Sequence, residues 1–407
     1  MIKNIITRFC LFLAVSTFAQ EGSSSPYSYF GIGEVKFKGT VENRSMGGLS
    51  LLCDSIHLNM ENPASYSHLK LTSFAIGTNN NQNKIQSDVQ SETVKRFSLD
   101  YLAVGLPIGK LGASFGVIPY SAVGYKIQKT DLIRYNGTGG LNKVYAGLGY
   151  SITKALSIGI NFDYNFGKIT TQSSEFISDV ELGTIEANTS IIKGTNFTFA
   201  MAFKDKISKK LELSASVSYS PESQLNVNNN RSISTLSYGG SVTETNDAIL
   251  SKLTLNFSEK TTMGIAIGQP KKWLIGTEYH FRKSSNFSNV FNDPLTNVRF
   301  ENGSKWSFGG YYIPKYNSFT SYLDRIVYRG GLKFENTGLM INNQSIKDQS
   351  VSLGFGLPLP GYTSNLNIGL ELGSKGTTTA GLVKENYFNI SIGVSFNDKW
   401  FQKRKYD

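Results

Sequence analysis

The sequence is poor in the residues that build most catalytic and metal-binding sites. Its 407 residues include only two cysteines and three histidines. His57, His68 and His280 lie far apart and have no metal-binding spacing. Cys10 lies in an apolar run near the amino terminus; once that run is removed, Cys53 is the only cysteine, which excludes an intrachain disulfide. We expect Cys53 to be a small buried apolar residue, and we expect no enzyme activity, no metal and no cofactor.

Long hydrophobic runs are also missing. A membrane-spanning helix needs about 20 consecutive apolar residues, and no stretch of the chain reaches this length. At the amino terminus, Lys3 and Arg8 are followed by a short apolar run, and Thr17 and Ala19 supply small residues at positions −3 and −1 of a cut after Ala19. We therefore predict a cleavable signal peptide at residues 1–19 and export of the mature chain.

Charged residues make up only 17% of the chain, and the formal net charge is +11. Removal of Lys3 and Arg8 with the signal peptide lowers this charge by two. A basic balance is typical of nucleic-acid-binding proteins, but these cations are scattered and an exported protein does not meet DNA. We assign the lysines to membrane rims and expect outer-membrane lipids and lipopolysaccharide as neighbours, with no nucleic-acid partner.

What the chain does contain is glycine, aromatic residues and alternation. It has 40 glycines, 21 tyrosines and 26 phenylalanines. In residues 156–167 every second residue is apolar, from Leu156 to Phe166, and the residues between them are serine, glycine, asparagine or aspartate. Alternation with period two predicts a strand with one apolar and one polar face.

This alternation recurs along most of the chain and indicates a membrane barrel. Many runs reach about ten residues, the length that a tilted transmembrane strand needs. Aromatic residues cluster near run ends, as at Trp273 and Trp400-Phe401. Because an open sheet edge cannot lie in lipid, such a sheet must close. About fourteen strands are predicted, beginning near Leu69, Lys95, Leu111, Asn142, Leu156, Gly194, Lys210, Leu250, Trp273, Lys305, Arg325, Ile346, Asn365 and Asn386.

One stretch, residues 44–66, does not read as a strand. It opens with Gly47 and Gly48, mixes polar and apolar residues, and ends in Asn62-Pro63-Ala64. We interpret it as a plug inside the barrel. The predicted architecture is an all-β transmembrane antiparallel β-barrel, with a signal peptide at residues 1–19, an N-terminal plug (hatch) segment at 20–68 and the barrel at 69–407.

With these features in view, the chain resembles the FadL-type family (OmpP1/FadL/TodX) of outer-membrane transport proteins. The residues that carry the resemblance are Met46-Gly47-Gly48 with Asp54 and Asn62-Pro63-Ala64 in the plug, Gly116-Val-Ile-Pro119-Tyr120 in the third strand, Met263-Gly-Ile265 and Lys272–Tyr279 in a late hairpin, and Tyr328-Arg-Gly-Gly331, Ser352–Gly356 and Gly369–Gly376 further on. Where the family has Leu-Pro before the late hairpin, this chain has Leu255-Asn256-Phe257. The two chain ends are similar to those of the Bacteroidota branch.

The resemblance implies a narrow lumen in which a hydrophobic ligand binds against the plug and leaves sideways at a kinked third strand. Pro119 and Tyr120 are the residues expected at that kink, because proline removes a ladder donor; a harmless proline at a strand end is the alternative. The ligand pocket would be lined by Met46, Leu49, Leu51, Leu52, Ile56 and Leu58, unless these residues only pack the plug against the wall. Asn62, Pro63 and Ala64 are expected to fix the exit turn.

Two functions follow from this interpretation. The first is passive uptake of hydrophobic small molecules, such as long-chain fatty acids, across the outer membrane through a plug-gated lumen and a lateral opening. The second is a non-transporting barrel subunit of an outer-membrane protein assembly or secretion complex, with other outer-membrane proteins as partners. The Bacteroidota branch contains barrels of both kinds. In both cases the protein is expected in the cell outer membrane.

Overall fold

A computed structural model of the chain describes residues 22–50, 53–237, 241–250, 252–284, 297–359 and 364–399. The predicted signal peptide, Leu51, Leu52 and the Trp400-Phe401 pair lie outside these ranges. Within the ranges, no helix has both the length and the hydropathy that a membrane-crossing helix requires.

Strands dominate the structure, and they are much longer than the five or six residues usual in soluble proteins. The strands are β1 Glu34–Val35, β2 Thr72–Gln86, β3 Ser91–Ile108, β4 Leu111–Val123, β5 Lys126–Gln128, β6 Ile133–Ser151, β7 Leu156–Glu175, β8 Leu182–Lys206, β9 Glu212–Ser220, β10 Ser223–Ser237, β11 Val242–Ile249, β12 Leu253–Phe257, β13 Lys260–Gln269, β14 Trp273–Arg282, β15 Val298–Phe300, β16 Gly303–Tyr312, β17 Val327–Ile341, β18 Gln344–Pro358, β19 Asn365–Gly376 and β20 Lys384–Asp398. One α-helical turn, α1, spans Val41–Arg44, and 3-10 turns span Pro26–Tyr29, Pro63–His68, Leu323–Arg325 and Thr379–Gly381.

These strands form a closed antiparallel barrel. Chain neighbours pair in succession, and β2 closes the ring by pairing with β20 from Thr72 opposite Asp398 to Gln86 opposite Lys384. β9 and β10 together make one wall strand, as do β12 and β13, while β5, β11 and β15 add to the rim and β1 lies inside. The barrel therefore has 14 strands, which confirms the predicted fold class.

The two faces of the wall have the polarity of a membrane barrel. On β7 the apolar side chains of Ile160 and Phe162 point outward and are 38% and 43% exposed, whereas Asn161 and Asp163 between them are each 2% exposed. The same inversion, apolar out and polar in, recurs around the ring. Because this outer face buries its apolar surface only in lipid, the pattern excludes a soluble sandwich.

A β-bulge explains one irregularity of the alternation. Phe97 and Leu99 are exposed on the outer face of β3, but Leu102 lies out of phase with them in the sequence. In the structure β2 residues Gly77 and Thr78 pair with Tyr101 and Leu99, so that Asp100 has no ladder partner on β2. The extra residue restores the phase, and Tyr101 then points into the lumen with 2% exposure.

The two ends of the barrel differ in their connections. At the end where β2 begins, most turns are short, for example residues 109–110 between β3 and β4. At the other end the strands run on into long polar hairpins such as β10–β11. Short turns mark the periplasmic end of outer-membrane barrels and long loops the extracellular end.

Candidate functional site

The described N-terminal residues, 22–50 and 53–71, occupy the inside of the barrel, and we call them the luminal segment. Two of its side chains reach strands on nearly opposite sides of the ring. Arg44 pairs with Asp100 on β3 at 2.6 Å. Glu61 pairs with Lys260 on β13 at 3.4 Å. A segment that contacts both of these strands from within must cross the lumen.

The paired glycines follow α1 and have conformations that other residues rarely adopt. Gly47 and Gly48 have φ values of +70° and +86°. The Gly47 amide donates to Ser352 Oγ on β18 at 2.9 Å. A Cβ on Gly47 would lie 2.5 Å from the carbonyl oxygen of Leu332 on β17, so only glycine fits between the segment and the wall.

The wall provides matching glycines on its inner face. A Cβ on Gly331 would lie 2.2 Å from the Gly47 nitrogen, and one on Gly309 would lie 2.3 Å from the Met46 carbonyl oxygen. On the next two strands, a Cβ on Gly354 or Gly369 would meet the Ser45 side chain. We call these four wall residues, Gly309, Gly331, Gly354 and Gly369, the glycine groove. They allow the backbone of the luminal segment to lie directly on the wall.

The Asn-Pro-Ala motif makes a second close contact near the periplasmic end. Asn62 Oδ1 accepts a hydrogen bond from the Ala64 amide at 3.2 Å, and Pro63 begins the 3-10 turn Pro63–His68. A Cβ on Gly159 of β7 would lie 2.3 Å from the Pro63 carbonyl carbon. Ala64 is fully buried beside Cys53 and two wall alanines, so a larger side chain has no room there.

Of the six residues expected to line a ligand pocket, four fall in the described part of the chain. Met46, Leu49 and Leu58 are buried in packing clusters, and Ile56 is half-buried. None of the four lines either of the two luminal cavities described below. Cys53 is buried, as its size and polarity predicted.

The larger luminal cavity has a volume of about 260 Å³ and a strongly charged lining. Lys143, Lys260, Arg282 and Lys305 from the wall and Lys38 from the luminal segment all line it. A smaller cavity of about 140 Å³ is lined by charged and amide side chains around the Arg44–Asp100 ion pair. These charged groups suit water and ions. Apolar side chains such as Phe30, Ile32 and Phe257 also line the larger cavity.

The charged lining shifts the pKa values of two groups in the luminal segment, Lys38 and Glu61. Burial, together with the nearby ammonium groups of Lys260 and Lys143, holds the pKa of Lys38 well below its usual value. The Lys38 ammonium also lies 3.7 Å from the centre of the Tyr120 ring. Burial alone would raise the pKa of Glu61, but Lys260 and the other surrounding ammonium groups lower it to about 2.

The third barrel strand, β4, separates from its neighbour β3 part of the way up the wall. Their pairing runs from Ile108 opposite Leu111 to Leu102 opposite Val117 and stops there. Beyond this point the β4 ladder to β6 shifts register between Pro119 and Ser121, so that Tyr120 is unpaired in it. Pro119 and Tyr120 therefore lie at the separation.

This separation leaves an edge on β3 and an edge on β4, and only the β4 edge pairs with another strand. β1 of the luminal segment pairs with β4, and the Lys36 amide donates to the Tyr120 carbonyl at 3.0 Å. In the described part of the chain, the β3 residues from Ser91 to Tyr101, apart from the bulged Asp100, have ladder partners on β2 alone. Phe97 and Leu99 of this stretch point outward into the apolar band, so the opening lies at membrane depth.

The arrangement is that of a FadL-type outer-membrane β-barrel, a closed 14-strand wall with an N-terminal segment in its lumen. The family model BamG matches residues 1–407, and the chain belongs to the BamG family. No curated protein matches the sequence.

Solved structures share this fold at low sequence identity. The Pseudomonas putida toluene transporter TodX has a TM-score of 0.62 and 14% identity, with 90% of this chain and 99% of TodX covered. The Ralstonia pickettii toluene transporter TbuX has a TM-score of 0.59 and 12% identity over 89% and 99% of the two chains. A Pseudomonas aeruginosa FadL homologue has a TM-score of 0.58 and 9% identity over 90% and 99%.

Proposed function

We propose that the protein is a permanently sealed β-barrel subunit of an outer-membrane protein assembly complex. The observation that carries this proposal is the glycine groove, because a segment held backbone to backbone on the wall is a fixed part of the barrel. In this function the lumen conducts nothing, and the outer wall and the rims serve as surfaces for partner proteins.

The chemistry of the lumen supports this function over transport of apolar compounds. Apolar ligands bind in pockets lined mainly by hydrophobic and aromatic side chains. Here nine cationic side chains line the larger cavity, among them Lys38, Lys143 and Lys260, together with six carboxylates that include Glu61 and Asp163. The name of the family supports it as well, since Bam is the usual abbreviation for the β-barrel assembly machinery of outer membranes.

The second candidate is passive uptake of hydrophobic small molecules, such as long-chain fatty acids. One observation favours it: the separation of β3 and β4 at Pro119 and Tyr120 gives the lumen a side opening at membrane depth. Uptake by this route requires the luminal segment to move, because the segment fills the barrel below the opening.

A tether across the lumen separates the two functions. Glu61 of the luminal segment and Lys260 of β13 lie 3.4 Å apart and both line the larger cavity, where a reagent can reach them. In a Cys53→Ala background, cysteines replace both residues and are joined by a short bifunctional thiol reagent. A sealed subunit keeps its partners and supports growth when tethered, whereas a transporter loses uptake of labelled fatty acid.

Purification and depletion test the assembly function directly. The protein, extracted from native outer membranes in mild detergent, should carry other outer-membrane proteins at fixed stoichiometry. Its depletion should lower the amounts of several unrelated barrel proteins on every carbon source. A protein that purifies alone, and whose loss affects growth only on lipids, would exclude the assembly function and favour uptake. The two single-cysteine variants, treated with a monofunctional reagent, are the controls for the tether.

A further inference from the structure

One connection at the periplasmic end is unlike the others. The chain between β16 and β17, residues 313–326, has 14 residues, whereas the other connections at this end have between two and six. The end is fixed by the register, because Tyr312 at the end of β16 lies opposite Trp273, which follows the short turn at residues 270–272. We call residues 313–326 the periplasmic loop.

The periplasmic loop is an ordered structure. The Lys315 amide donates to the Asp324 carbonyl at 2.8 Å and closes its base. Ser318 is 3% exposed, and its hydroxyl donates to the Asp324 carboxylate at 3.3 Å. Ile313 and Ile326, at the two ends, are buried. The Leu323–Arg325 turn adds further backbone bonds.

This ordered loop displays apolar side chains to the outside. Phe319 is fully exposed, at 101%, and Leu323 is 65% exposed. Tyr316 and Tyr322 are 45% and 39% exposed. Loops with internal hydrogen bonds usually turn such residues inward, and an exposed apolar cluster on a well-defined loop is typical of an interaction site.

Cations surround the apolar cluster. Lys271 lies 4.6 Å from the Tyr316 ring centre, and the Arg325 guanidinium lies 5.2 Å from the Tyr322 ring centre. Lys272 and Lys315 add two more positive charges, and Asp324 is the one carboxylate in residues 270–272 and 313–326. A complementary surface would therefore have an apolar pocket bordered by carboxylates.

We propose that the periplasmic loop docks onto a periplasmic partner protein that offers an apolar pocket rimmed by acidic residues, with Phe319 as the anchor. The proposal rests on the assembly function above and names the surface through which it acts. The lipid interface already has aromatic residues here, because Tyr312 is exposed on the outer wall and Tyr328 lies beside it. The Tyr328 hydroxyl donates a hydrogen bond to the Leu323 carbonyl at 3.2 Å. Phe319 is fully exposed and therefore packs on neither tyrosine.

Site-specific photo-crosslinking in living cells tests this surface. A benzophenone amino acid replaces Phe319 in one strain and Lys154, in the short turn between β6 and β7, in a control strain. We expect one discrete protein adduct from position 319 and none from position 154, with the crosslinked peptide of the partner rich in aspartate and glutamate. Adducts to lipid alone, or no protein adduct from position 319, would overturn the proposal.

Two further measurements keep the result interpretable. The double variant Phe319→Ser, Leu323→Ser should lower the amount of the crosslinked partner that co-purifies by about thirtyfold, the effect of losing a hot spot of about 2 kcal/mol at tenfold per 1.4 kcal/mol. Thr320→Ser in the same loop is the control for loop integrity. If the complex forms normally with the double variant, the docking surface is wrong and the assembly function stands; if no complex forms with the wild type, the assembly function itself fails.

A lipid control decides between the partner and the membrane. A Phe319→Cys, Cys53→Ala variant is labelled with an environment-sensitive dye and placed in vesicles of phosphatidylethanolamine and phosphatidylglycerol. The dye should keep the emission of a solvent-exposed probe. Quenching by acyl-chain nitroxides would show that position 319 enters the bilayer and would overturn the proposal.

Discussion

Two adjacent glycines of β17 allow the role of the glycine groove to be tested within a single strand. Gly331 faces the lumen, and a Cβ there would lie 2.2 Å from the Gly47 nitrogen and 2.2 Å from the Met46 carbonyl carbon. Gly330 faces outward, and the nearest atoms to a Cβ there, on Leu353 and Ser352, lie 3.9 Å away. Gly331→Ala and Gly330→Ala therefore add the same methyl group to opposite faces of one strand.

The expected difference follows from these contacts. At Gly331 the luminal backbone must move by more than 1 Å to reach an ordinary contact of roughly 3.4 Å, and overpacking of this kind costs about 1–3 kcal/mol. The shift also breaks the hydrogen bond from Gly47 to Ser352, for about 1 kcal/mol more. The total is about 2–4 kcal/mol for Gly331→Ala, while Gly330→Ala stays within about 0.5 kcal/mol.

The assay compares both variants with the wild type in detergent and in planar bilayers. Thermal unfolding followed by the gel shift of the heated barrel should occur several degrees lower for Gly331→Ala alone. Channel openings absent from the wild type should appear in the same variant, because the loosened segment no longer fills the lumen. If Gly331→Ala and Gly330→Ala behave alike in both measurements, the luminal segment is not held by the glycine groove.

Three further predictions concern charge. Arg44→Ala should destabilise the barrel by about 3 kcal/mol, because it leaves the largely buried Asp100 side chain without its ion-pair partner, while Arg44→Ala with Asp100→Asn should lose less. Denaturant unfolding of the wild type, Arg44→Ala, Asp100→Asn and the double variant measures the coupling, and additive losses would contradict it. Burial alone would lower the pKa of His57, but Asp54, 2.7 Å away, raises it above the usual value. The ion pair is therefore fully present below about pH 6.5 and is lost as pH rises through the raised pKa. The unfolding temperature should fall by a few degrees over that range in the wild type and stay constant in His57→Gln, and equal slopes for the two proteins would refute this prediction. Deletion of residues 22–64 should open a pore lined by Lys143, Lys260, Arg282 and Lys305. Reversal potentials in a KCl gradient should then show anion selectivity. Cation selectivity would contradict the inference that these wall cations set the charge of the lumen.

The architecture could be predicted from the sequence because each wall strand has one apolar and one polar face, so that apolar and polar residues alternate along it. The alternating run at Leu156 begins a strand at that residue in the structure, and the predicted start at Trp273 also matches. Predicted starts near Asn142 and Gly194 fall inside β6 and β8, which begin at Ile133 and Leu182. Those strands extend beyond the lipid into water on both faces, where the alternation disappears although the ladder continues.

The details of the lumen were less accessible, for a different physical reason. Gly331 and Gly330 are adjacent and look equivalent in the sequence, and only the register shows that one faces the luminal segment. The groove on four strands arises from contacts between residues about 260 to 330 positions apart. The periplasmic loop had a signal, the run of aromatic residues from Tyr311 to Tyr328, but a short turn was the ordinary expectation at that end.

The luminal segment and the side opening are coupled through one ion pair, and this bears on what the opening can do. Asp100 is the bulged residue of β3, at the place where pairing with β4 ends, and it is held by Arg44 of α1 at 2.6 Å. Arg44 also lies 3.9 Å from Glu371 on β19, and the next residue, Ser45, lies in the glycine groove. A shift of the segment large enough to admit a ligand must therefore break these contacts together. Because their loss costs several kcal/mol, the β3–β4 opening behaves as a fixed feature of the wall, with its inner side closed by the same segment that the glycines hold.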